Sequence, residues 1–303
     1  MRPRPRAVPL PLLGLALALA LAACADEERN IPTRKVRLAT GVALEVFTRG
    51  KPGGEPLLLL HGYGESWRSW EPVLPFLPRD LRIVVTSLRG HGESDKPDCC
   101  YRQADFAADT LALLDALDIE RATLVGFSMG SLVAHKLAIE RPERVARLVL
   151  VGSAPKVEED EESRLLGVAL DRMTEPLDLA WLRELHQGSA AAPLPPDFLE
   201  TMAEEARKVP LRVWRQSLAG MTAEDHAARL GEIEEPTLLV WGEEDPFLPP
   251  AERQRMARQI RGARLLVLPG LAHAAHWEDP KRFARELAAF LEATPPAGSR
   301  RGR

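Results

Sequence analysis

The sequence predicts an α/β fold: a mostly parallel central sheet with helices on both faces. Three observations predict it. Short apolar runs of strand length recur at residues 35–40, 43–49, 56–61, 82–87, 122–127 and 145–151, and again at 236–241 and 263–268. Stretches with apolar residues three and four apart separate the later runs, at Tyr101 to Leu117, Gly130 to Glu140, 249–261 and Trp277 to Leu291; strands alternating with helices pair in parallel and bury both sheet faces. The residues with chemical potential directly follow strands, at the carboxyl edge where open parallel sheets gather their sites.

Taken in order, the chain begins with Arg2, Arg4 and Arg6 and then an apolar run from Val8 to Ala23, the pattern of a signal peptide over residues 1–23. The run holds about 16 residues, Pro9, Pro11 and Gly14 among them, short of the ~20 that a spanning helix needs. Its end, Leu21-Ala22-Ala23-Cys24, resembles the lipobox of bacterial lipoproteins. That resemblance implies lipidation of Cys24 and an exported, membrane-anchored protein of a bacterial cell envelope. Ala25, in place of Asp, implies outer-membrane sorting, with the inner membrane still open. Cleavage at an ordinary Ala-x-Ala-like site with Cys24 incidental is the alternative. Residues 24–34, polar and containing Pro32, form a tether.

The strand and helix rhythm runs through 35–154, with Arg141-Pro142 stopping the second helix, and breaks at Pro155. Amphipathic helical stretches near 161–173, 177–187, 196–208 and 210–220 follow, so 155–232 is expected to be a helical cap inserted before the last two strands. The core resumes over 233–293, and 294–303, made of Pro, Gly and Arg with little to bury, is expected to be a disordered tail. With 303 residues, 45% hydrophobic, the chain can bury a large core. Its formal net charge of −4, more acidic by three without residues 1–23, argues against nucleic acid. Cys99 and Cys100 are adjacent; a trans peptide sets their Cα atoms ~3.8 Å apart, below the usual disulfide range, so two loop thiols are expected. No metal-ligand spacing surrounds them.

The most informative segment is Thr123-Leu124-Val125-Gly126-Phe127-Ser128-Met129-Gly130-Ser131, a strand entering a Gly-x-Ser-x-Gly turn and then a helix. A free serine hydroxyl is a poor nucleophile; it needs a base within reach and N–H groups for the oxyanion. A sharp turn provides that presentation, and the glycines allow close backbone approach. Base and acid must come from other strand ends. One is followed by Gly242-Glu243-Glu244-Asp245, the other by Pro269 through Pro280 with His273 and His276.

The order Ser, Asp, His and the topology resemble the α/β-hydrolase family over nearly all of residues 35–293. The resemblance implies Ser128 as nucleophile, Asp245 as orienting acid and His273 as base, with His276 the rival base and Glu243 and Glu244 rival acids. Leu57 to Gly64, a strand ending in His61-Gly62, resembles the family's oxyanion turn and implies backbone N–H donors at Tyr63 and Met129, with His61 pinning the turn. Gly64 stands where relatives often have Pro, which is expected to loosen the loop. Arg89-Gly90-His91-Gly92-Glu93-Ser94 matches a structural turn, with Ser87 in place of a frequent Asp. Trp67, Trp70, Phe127, Met129, Trp181, Trp214 and Trp277 are candidates for an acyl pocket or for core. The implied activity is serine hydrolysis of carboxylic esters of small to medium apolar molecules, with no cofactor and no obligate protein partner. Carbon–carbon bond hydrolases and cofactor-free haloperoxidases keep Ser at this position and are alternatives; epoxide hydrolases and haloalkane dehalogenases use Asp there. A ligand-binding sensor on the same fold is the alternative of another class.

Overall fold

The computed structural model describes residues 32–158 and 161–294. The expected signal peptide, Cys24 and most of the tether lie outside them, as do 295–303 of the expected tail. Eight strands form one sheet: β1 (Arg34–Arg37), β2 (Ala43–Gly50), β3 (Pro56–Leu60), β4 (Arg82–Thr86), β5 (Ala122–Phe127), β6 (Val145–Val151), β7 (Thr237–Gly242) and β8 (Arg264–Leu268). Their order is β1-β2-β4-β3-β5-β6-β7-β8. β1 and β2 pair antiparallel, β2 pairs antiparallel with β4, and every later pairing is parallel. Each residue of β5, β6 and β7 is buried, as strands covered on both faces must be.

The core helices are α1 (Gln103–Ala116), α2 (Met129–Glu140), α7 (Pro250–Gln259), α8 (Ala275–Glu278) and α9 (Pro280–Ala293). Sequence periodicity gave α8 and α9 as one helix from Trp277; Pro280 divides them, because it takes the first helical position while Asp279 accepts the Arg282 N–H at 3.0 Å. The region expected to be a cap holds α3 (Glu161–Arg172), α4 (Leu179–Gln187), α5 (Pro196–Arg207) and α6 (Leu211–Ala223), all between β6 and β7. Its two ends are stapled together, His226 N–H to Pro155 O at 3.1 Å.

One expectation is corrected. Cys99 and Cys100 are disulfide-bonded to each other. Cys100 adopts φ +78°, a left-handed conformation that closes the short ring, and the Arg89 guanidinium holds its carbonyl at 2.9 Å.

The interior carries five wholly buried histidines. Desolvation pushes His91 and His186 down to about 4 and His135 to about 3, and lowers His61 and His276 well below the usual range. Folded pKa values below the unfolded value mean that this stability is present above ~6.5 and drains away as pH falls toward the folded values. The thermal midpoint is expected to be several degrees lower near pH ~5 than near pH ~7.5, measured by circular dichroism; an unchanged midpoint would contradict the neutral burial of these rings.

Candidate active site

Ser128 stands between β5 and α2 with φ +47° and ψ −114°, a strained elbow for a residue with a Cβ. The turn is possible because both neighbours at two positions are glycine: a Cβ on Gly126 would come within 2.6 Å of the Gly130 carbonyl carbon, and one on Gly130 within 2.6 Å of His61 O. The Ser128 N–H bonds Val151 O at 3.0 Å, and its carbonyl accepts the Ser131 hydroxyl at 2.6 Å. The residue remains partly exposed.

Asp245 and His273, from the loops after β7 and β8, are in direct contact, Nδ1 to Oδ2 at 2.8 Å. Oδ1 of the wholly buried Asp245 side chain accepts the N–H groups of Phe247 and Leu248 at 2.9 and 3.2 Å, so the acid is fixed from both sides. The imidazole lies between the rings of Phe127, 5.1 Å away, and Phe247, 5.0 Å away and edge-on. Gly152 at the end of β6 makes room, since a Cβ there would be 2.8 Å from His273 Cε1. With Nδ1 engaged by the carboxylate, Nε2 is the basic nitrogen. The elbow, Gly152, Asp245 and His273 thus meet at one end of four consecutive strands.

The rivals are placed differently. His276 is buried with Nε2 3.3 Å from Ser69 Oγ, packed against Trp70 and Phe127, and burial together with the neighbouring His273 holds it neutral. Glu243 and Glu244 are exposed. His61 accepts the Leu88 N–H at Nε2 (2.9 Å) while Nδ1 meets Gly62 O (2.8 Å), so both nitrogens brace the turn. Ser87 takes the place of the frequent Asp by accepting the Trp67 N–H and donating to Glu45.

Gly64 does not loosen its loop. It adopts φ +73° directly beneath the indole of Trp214 from α6, and a Cβ would overlap that ring. The Tyr63 hydroxyl donates to Trp214 O at 2.6 Å, with the two rings edge to face at 4.8 Å. Burial raises the Tyr63 phenol well above its usual pKa, so it stays a donor. Of the aromatic candidates, Trp67 and Trp70 are core, stacked with Phe47 and packed on Phe283. Trp277 joins Phe127 to Phe198 of α5, and Trp181 packs on Trp214.

Sequence reasoning missed several supports. Glu278 Oε1 accepts the Ala272 N–H beside His273, and Oε2 accepts the Ala191 N–H, joining the base loop to the cap. Its five-residue spacing from His273 was the available signal. Phe247 and Gly152 carried none.

The family model for the alpha/beta hydrolase fold matches residues 55–222 and 166–280. The chain belongs to the α/β-hydrolase family. The 2-hydroxymuconate semialdehyde hydrolase of Pseudomonas sp. (strain CF600) is 33% identical over 274 residues, 84% of this chain and 92% of that protein. A solved N-acyl homoserine lactone degrading enzyme is 30% identical with a TM-score of 0.74, covering 85% of this chain and 100% of that one. A hydrolase from Pseudomonas aeruginosa PA01 is 27% identical with a TM-score of 0.76, covering 86% and 98%. The protein is an α/β-hydrolase enzyme, and its relatives are consistent with a small-molecule substrate.

In this hydrolase the turn under Trp214 tolerates only glycine at position 64. Gly64→Pro is expected to destabilise the fold by about 2 kcal/mol or more, because proline fixes φ near −65° and cannot reach the left-handed region. Urea unfolding measures it, and an unchanged midpoint would refute the packing argument.

Proposed function

We propose that this hydrolase cleaves carboxylic ester or ester-like bonds of small to medium apolar substrates through an acyl-enzyme on Ser128. The observation that carries the reading is the Asp245 to His273 hydrogen bond beside the strained Ser128 elbow. His273 Nε2 takes the Ser128 proton as Oγ attacks the carbonyl carbon, and Asp245 stabilises the imidazolium. The oxyanion is received by the N–H groups of Tyr63 and Met129. These follow the neighbouring strands β3 and β5, whose register sets Leu60 opposite Gly126. Such a donor contributes about 3–4 kcal/mol to the transition state where tested. Collapse expels the alcohol with the His273 proton, and water activated by His273 then releases the acid. No step calls for a cofactor.

A second reading, carbon–carbon bond hydrolysis, is favoured by the identity to the muconate semialdehyde hydrolase. A muconate carries a carboxylate, whereas the rings against His273 are those of Phe127 and Phe247. That supports an uncharged substrate.

A fluorophosphonate probe is expected to label Ser128, and Ser128→Ala to abolish labelling and p-nitrophenyl ester turnover, by a factor approaching ~10⁶ as found for subtilisin. His273→Ala should match it and Asp245→Asn cost less. If Ser128→Ala keeps esterase activity, or if His276→Ala and not His273→Ala abolishes it, the assignment is wrong.

The protein is further proposed to be exported and anchored through lipidated Cys24, a reading supported by the short apolar run ending at Leu21-Ala22-Ala23-Cys24. Acyl chains contribute ~0.8 kcal/mol per buried methylene. Cys24→Ala should therefore release the protein from membranes or block its maturation; equal membrane association and unchanged mass would overturn the anchor.

A further inference from the structure

A buried carboxyl that the mechanism above leaves unused lies inside the oxyanion turn. Glu65 closes the turn after β3 on itself: its Oε2 accepts the Gly62 N–H at 3.0 Å, and its Oε1 is so close to Gly62 that a Cβ there would stand 2.7 Å away. The residue is 5% exposed. Ser69, four residues on, meets His276 Nε2 at 3.3 Å and receives the Trp277 Nε1–H at 3.2 Å.

We propose that Glu65 is a positioning residue for the reaction at Ser128: it holds the Gly62 peptide from within the turn and so aims the adjoining Tyr63 N–H at the developing oxyanion. The proposal rests on the reading of Ser128 as nucleophile. Two physical effects make the charge state matter. An ionised carboxylate would place negative charge one residue from the N–H that must receive negative charge. It would also grip the Gly62 N–H more tightly and redirect the peptide.

Burial, opposed only by the Ser69 and Gly62 hydrogen bonds, raises Glu65 to about 8. The surrounding titratable groups do not change charge in that range. His61 and His276 are held neutral and His91 is pushed to about 4. The Tyr63 phenol is raised well above its usual value, and Arg68 is paired with Glu71 and Glu205. The alkaline limb therefore belongs to Glu65.

The test measures kcat and KM for p-nitrophenyl acetate from about pH 6 to about pH 10 on the full chain, its Glu65→Gln and Glu65→Ala variants, with fluorophosphonate labelling of Ser128 alongside. The wild type is expected to lose kcat several-fold as pH rises through about 8. Glu65→Gln keeps an uncharged acceptor for Gly62, so its alkaline fall should disappear. Glu65→Ala should lose kcat by ~10- to 100-fold with KM changed less than about threefold, since a misaimed donor is felt only in the transition state, and Gln should restore most of that loss. Should the alanine variant fail to fold, the glutamine pH profile still decides. An alkaline limb unchanged in Glu65→Gln, with Ser128 of the wild type labelled, overturns the role of Glu65 alone. Absence of labelling in the wild type overturns the nucleophile and the positioning role together.

Discussion

Everything at the carboxyl edge of the sheet depends on one strained residue, Ser128 at φ +47°. A backbone conformation of this kind costs of order 1–3 kcal/mol and persists only where its surroundings over-determine it. Here those surroundings are close backbone contacts. Gly126 lies against the Gly130 peptide, and Gly130 lies against the carbonyls that end β3. The elbow therefore fixes the first turn of α2, and α2 in turn packs on β5 and β6. Through the same contact the serine turn and the His61-Gly62 turn are locked in register, so that the ends of neighbouring strands cannot drift apart.

A second theme is the use of neutral polar groups. His61 bonds two backbone groups across the β3 and β4 turns, and His276 meets the Ser69 hydroxyl. Charged groups in these positions would carry heavy desolvation costs, whereas neutral ones held by hydrogen bonds rigidify the interior. Buried charge is paired where it occurs: the Arg89 guanidinium reaches both carboxylate oxygens of Asp109 at 2.6 Å, and Arg147 pairs with Glu55.

Strand positions were legible in the sequence to within a few residues, because buried parallel strands such as β5 and β6 read as unbroken apolar runs between turn residues. Sequence order alone did not reveal that β4 lies between β2 and β3. That depends on which neighbours bury which face. Within the site, Ser128, Asp245 and His273 stood out because each follows a strand directly. The contributions of Glu65, Gly152 and Glu278 were hidden, since each acts on a backbone group or ring brought close by tertiary packing. The disulfide between Cys99 and Cys100 was missed because their 3.8 Å Cα spacing, which the structure keeps, lies below the usual disulfide range; the bridge forms at that spacing with Cys100 in the left-handed conformation.

The bridge made by Glu278 bears on how such proteins can be recombined. One carboxylate grips both the loop that carries His273 and the segment between α4 and α5, while Trp214 of α6 seals Gly64 on the opposite side. The helical insertion is therefore not a detachable module. Grafting a foreign cap between β6 and β7 would import new partners for two catalytic loops at once, and a working chimera would have to bring along its own matched residues at positions 64 and 278. Divergence among such caps is then expected to proceed by repacking of inner faces, with these two anchorage points changing only in concert with the loops they hold.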